Sequence, residues 1–138
     1  MAAAVVAGGL LAGGCGERAE GPAASPTVRL GAAEVAASTV TGLVPALCQA
    51  AAKVGADPGR AGATFYARAH DVLHTLAAAL GEGHRDLQAG LLEAKARVEE
   101  ALAAPGAPGA GEALVSLAGA AERGLAALAL TEGPRSCG

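Results

Sequence analysis

Apolar residues recur every three or four positions through most of this chain, the spacing that lines one face of an α-helix. Leu43, Leu47, Ala50 and Val54 predict a short first helix over 43–54, with Pro45 in its first turn and Gly55 just past its end. Residues 32–40 are expected to add a turn or two of helix before it. Over 62–80, Phe65, Ala69, Val72, Leu73, Leu76 and Leu80 form a stripe about 100° wide, and Gly81 suits the end of that helix. A third helix over 85–104 turns Leu87, Leu91, Ala94, Val98 and Leu102 inward. Glu93/Arg97 and Lys95/Glu99 are spaced as outward i,i+4 pairs, and Pro105 stops the helix. After the turn-forming stretch Pro105–Gly111, a fourth helix over 112–130 buries Leu114, Leu117, Ala121, Leu125 and Leu128.

The connections near Asp57, Gly81 and Pro108 are short, so the expected fold class is all-α, an antiparallel up-down four-helix bundle with a short first helix. Composition points the same way. Alanine and leucine have the best helix propensities, and β-branched residues are too scattered to suggest strands. The only aromatic residues are Phe65 and Tyr66, so the core must be built from leucine, valine and alanine. A chain of 138 residues suits one domain. Its net charge of −3 provides no clustered basic face, which argues against a nucleic-acid partner.

The start of the chain has a different character. Residues 2–14, AAAVVAGGLLAGG, are uncharged and too few to span a bilayer, which takes about 20 apolar residues, but they match the apolar segment of a secretory signal. With the residue that follows, Leu11–Ala12–Gly13–Gly14–Cys15 resembles the lipobox of bacterial lipoproteins. Ala12 stands where that family usually has leucine, with Leu11 one place further back. No lysine or arginine precedes Cys15, although secretory signals carry a basic segment, so that segment is expected upstream of Met1. The resemblance implies a signal peptide over 1–14, lipid on the Cys15 thiol, and anchorage to the outer face of the cytoplasmic membrane. Gly16–Pro26, GERAEGPAASP, is polar and broken by Pro22 and Pro26. Residues 15–31 are therefore expected to be a flexible lipid-anchored tether, and 32–138 the helical domain.

If Cys15 carries lipid, Cys48 and Cys137 remain, and an exported domain with two cysteines invites a disulfide. In an up-down bundle Cys48, near the start of the first helix, and Cys137, just past the fourth, belong at the same end. They are 89 residues apart, and such a link is worth about 4 kcal/mol on the chain-entropy account.

Candidate chemistry is confined to FYARAHDVLH, Phe65–His74. Tyr66, His70 and His74 follow one another at i,i+4 beside the core stripe, and Asp71 lies one turn before His74. His70, Asp71 and His74 are the candidate ligands for a divalent metal such as zinc or copper. His84, about two turns further along, is poorly placed to help. His-x-x-x-His lacks the glutamate that makes HExxH catalytic, so a half-exposed pair, hydrogen-bonded to Asp71 or stacked on Tyr66, is the plainer expectation. There is no G-x-S-x-G elbow or Walker loop, and Ser116 and Ser136 have no histidine beside them in sequence. Glu99 and Glu100 diverge by 100° and are expected on a solvated face. FYARAHDVLHTLAAAL and LLEAKARVEEAL are similar to segments of exported helical proteins of GC-rich, actinobacterial-type bacteria, a resemblance that implies no activity. The expectation is a non-enzymatic, lipid-anchored module that binds a protein or a small ligand. The alternative is a divalent-metal-binding lipoprotein with no other cofactor.

Overall fold

A computed structural model describes residues 23–130 and Cys137. The expected signal peptide over 1–14, Cys15 and the tether as far as residue 22 lie outside the described residues, as does Ser136.

The domain opens with strands, contrary to the all-α expectation. β1, Thr27–Leu30, pairs antiparallel with β2, Ala33–Ala36, in register from Thr27 opposite Ala36 to Leu30 opposite Ala33. A two-residue turn, Gly31–Ala32, joins them, and Gly31 adopts φ 59° at the glycine-first position such hairpin turns favour. A Cβ on Gly31 would stand 3.1 Å from the Ala79 Cα, so the turn lies directly against the fourth helix described below. Leu30 is only 2% exposed. Residues 27–31, expected in the tether, therefore belong to the folded domain, and 33–36, expected as helix, are strand. A lone two-stranded hairpin is marginal in water, and this one is held by packing on a helix, with Leu30 buried and Gly31 against Ala79.

The helical part follows the apolar periodicity closely. A five-residue turn of helix, α1 (Ala37–Thr41), leads into α2 (Leu43–Lys53), with Pro45 in the first turn as expected. Asp57 caps α3 (Pro58–Arg68): its Oδ1 accepts the Arg60 N–H at 2.9 Å, and Pro58 occupies the first helical position. α4 (His70–Leu80) is followed by a 3-10 turn over 82–84. Then come α5 (Arg85–Ala103) and α6 (Ala110–Ala127).

The single helix expected over 62–80 is bent at Ala69, where φ is −126°, although the backbone hydrogen bonds Ala69 N to Phe65 O and Leu73 N to Ala69 O persist on either side. Packing accounts for the bend. α3 follows α2, fastened by Arg68 Nη1 donating to Gln49 Oε1 at 2.7 Å and by Lys53 Nζ donating to Thr64 Oγ1 at 3.1 Å. α4 instead packs on α5 and α6. A straight rod could not face both sets of partners.

Phe65, Leu47, Leu73, Leu76, Leu91 and Leu114 are completely buried at the centre. Gly124 lets α6 approach α4 closely: a Cβ there would meet Leu80 Cδ1 at 3.1 Å. Cys48 and Cys137 are joined as a disulfide, with Cα atoms 5.2 Å apart. Cys48 lies midway along α2 rather than near its start, so the bridge fastens Cys137 to the middle of a helix.

Candidate functional site

The bend at Ala69 places His70 at the first position of α4, beside the Phe65 ring. Its ring meets Phe65 edge-on at 6.0 Å between centroids, Tyr66 at 5.5 Å and His74 at 4.8 Å. The expected stripe of rings therefore exists, with His70 at its hub and Phe65 as its buried base. Tyr66 and His74 are exposed.

Both ring nitrogens of His70 face carboxylates. Nδ1 lies 2.9 Å from Asp71 Oδ1, and Nε2 lies 3.1 Å from Glu99 Oε1 on α5. A ring carrying both protons donates to both; a neutral ring can donate to only one. The two contacts differ in setting. Asp71 is 97% exposed and in full contact with water, so its pairing with His70 contributes little. Glu99 is partly covered and also accepts from Lys95 Nζ at 2.7 Å.

Two sequence expectations fail here. Lys95 is not an outward residue: it is 5% exposed, lying between the inward Leu91 and Val98 with its ammonium turned to Glu99. Glu99 is not on a purely solvated face, although Glu100 is exposed as expected. The signal in the sequence was the i,i+4 spacing of Lys95 and Glu99, which was visible. That His70 would arrive opposite it depended on the bend at Ala69, which was not. The outward Glu93/Arg97 pair is formed as expected.

Burial pushes the Glu99 carboxyl up. The hydrogen bond and charge of Lys95, then the charge and hydrogen bond of His70, outweigh that push and hold it below its ordinary value of 4.5. A carboxyl lowered by folding adds stability that is fully present above its unfolded pKa and is lost as pH falls through the folded value. Thermal melts should therefore show wild-type stability falling from about pH 5 downwards, with a smaller fall in Glu99→Gln over the same interval. Parallel pH profiles for the two proteins would remove the cluster from the acid response.

As a site for chemistry the cluster is limited. The nitrogens of His70 contact carboxylates rather than a serine, threonine or cysteine that a base could activate. Ser116 lies on α6 beside Arg97 and Glu112, and His84 lies in the 3-10 turn beyond the far end of α4, an end itself about 15 Å along the axis from His70. A metal ion at His70 and His74 would have to displace Asp71 or Glu99 from the ring of His70. Among the described residues, no three His, Cys, Asp or Glu side chains are grouped to hold one. Equilibrium dialysis against zinc and copper should find equally weak binding by wild type and by His70→Ala/His74→Ala. A stoichiometric site lost in the double variant would restore the metal reading.

No protein-family model, curated protein or solved structure matches the chain. No helix among the described residues is long and apolar enough to cross a membrane.

Proposed function

We propose that this chain is an exported, lipid-anchored helical domain that serves as a non-enzymatic binding or interaction module on the outer face of the cytoplasmic membrane. The observation that carries the reading is the Cys48–Cys137 disulfide. Disulfides persist in oxidising compartments and are rare where cytosolic reductants act, so a small domain closed by one belongs outside the cytoplasm. The lipobox-like Leu11–Cys15 and the proline-broken polar stretch after it supply the anchor and the spacer that such a location calls for.

The architecture proposed for this module is the four-helix bundle, with α2 as its short first helix, α3 and α4 as a bent second, then α5 and α6. Its support is the pattern of helix contacts: α2 with α3, α4 with α5, α5 with α6, and α2 with α6, which closes the ring. The hairpin is an addition at one end.

Metabolic labelling with a fatty-acid analogue tests the address. The expected result is a labelled, detergent-partitioning protein whose label disappears in Cys15→Ala. Labelling that survives the substitution, or a wild type found in the cytoplasm without label, would overturn it. A gene beginning at Met1 and one extended upstream are labelled side by side, because export signals use a basic segment before the apolar run.

A further inference from the structure

The disulfide is not sealed in the core. Cys48 and Cys137 are both partly buried, packed against the core from outside, and both line the wall of an open groove of about 720 Å³ between α2 and α6. The other walls are small or apolar: Ala51, Ala52, Gly111 and Val115, with Glu112 and Ser116 as the polar groups. Val115 is 48% exposed, large for an apolar residue among so many buried ones. Two features therefore coincide: a groove lined largely by small side chains, and both cysteines of the disulfide among its lining residues. An enclosed disulfide waits for unfolding before a thiolate can reach it, whereas one in the wall of an open groove is attacked in the folded state.

We propose that Cys48–Cys137 is a thiol–disulfide exchange site, with the α2/α6 groove seating the reactant, a dithiol such as that of an exported thiol–disulfide oxidoreductase. The thiolate of the dithiol attacks one sulfur of the pair. A mixed disulfide forms, the bond between Cys48 and Cys137 breaks, and the other cysteine leaves as a thiolate and takes up a proton. The second thiol of the reactant then displaces the remaining cysteine. The reactant ends as a disulfide and this chain as two thiols, having gained two electrons and two protons. The partner is identified by the groove: a dithiol set in a small-residue, apolar surface fits Ala51, Ala52 and Val115, and Glu112 favours a basic or neutral neighbour over an acidic one. Exchange releases Cys137 from α2 and so couples the redox state of the compartment to the face that α2 and α6 share.

The proposal rests on the exported reading only for the source of the dithiol, and purified protein tests the exchange independently of location. The oxidised full chain is treated with increasing dithiothreitol without denaturant, quenched by alkylation at intervals, and read by mass. The expected rate rises linearly with dithiothreitol and lies within about tenfold of that of the urea-unfolded chain. Filling the groove with Val115→Trp should slow reduction about tenfold or more, while Leu92→Trp, at another exposed apolar position outside the groove, should leave it unchanged. A rate that levels off at a ceiling set by unfolding would overturn the proposal, as would a folded Val115→Trp reduced as fast as wild type. The wild-type rate set against that of the urea-unfolded chain decides the matter by itself should the tryptophan variant fail to fold: a rate about a thousandfold slower or more, even one linear in dithiothreitol, marks reduction only through unfolding and would overturn the proposal.

Discussion

Replacing Cys137 by serine should lower the stability of the domain by about 4 kcal/mol, the loop-closure entropy of a bridge spanning 89 residues. Domains of this size are stable by only about 5–15 kcal/mol in total, so the loss is a large share of the whole. It should appear as a fall in Tm on the order of 15–20 °C. The entropic account predicts that Cys48→Ser behaves alike, since either substitution opens the same loop. The double substitution should cost no more than either alone, because the bridge is lost once. Urea titrations of the three variants beside wild type check this. A loss under about 1 kcal/mol would mean that the unfolded chain gains little freedom when the bridge is cut, and would contradict the loop-closure account.

The second large effect is expected at Phe65. It is the only phenylalanine in the chain, it is completely buried, and its ring carries those of Tyr66 and His70. Phe65→Ala removes most of an aromatic side chain from a core otherwise made of leucine, valine and alanine. The cavity left behind adds to the lost burial, so a loss of about 3–5 kcal/mol is expected. The urea midpoint should fall with the slope unchanged if the domain still unfolds as one unit. Tyr66→Ala, next to it but half exposed, should cost far less. Equal losses at the two positions would show that the neighbouring helices collapse onto the Phe65 site, and would contradict a core fixed around that ring.

Much of the helical framework could be read from the sequence because a 3.6-residue repeat of leucine and alanine is a strong, local signal. α2, α5 and α6 begin and end within two or three residues of where Leu43, Pro105 and the last leucines placed their limits. The cysteine pairing was legible too, since removing Cys15 from the count left one partner for Cys48. What the sequence concealed was set by contacts between distant segments. The bend at Ala69 carries no glycine or proline to mark it; it exists because α3 must lie on α2 while α4 lies on α5 and α6. The hairpin has only a faint signal, a glycine between two short stretches, Val28–Leu30 and Ala33–Val35, each too brief to stand out by β-propensity. The histidine cluster was half legible. The ring stripe and Asp71 could be placed from spacing alone. Glu99 and Lys95 joined them only through the docking of α4 on α5, which turned a pair expected in solvent inward.

The central claim, a lipid-anchored and disulfide-closed domain outside the cytoplasm, is tested most directly by the intact mass of the protein extracted from cells without reductant and with free thiols blocked. The account predicts a chain that begins at Cys15, carries the added mass of lipid, lacks two hydrogens for the Cys48–Cys137 bridge, and takes up no blocking reagent. A chain that retains Met1, carries no lipid and has alkylated Cys48 and Cys137 would contradict it.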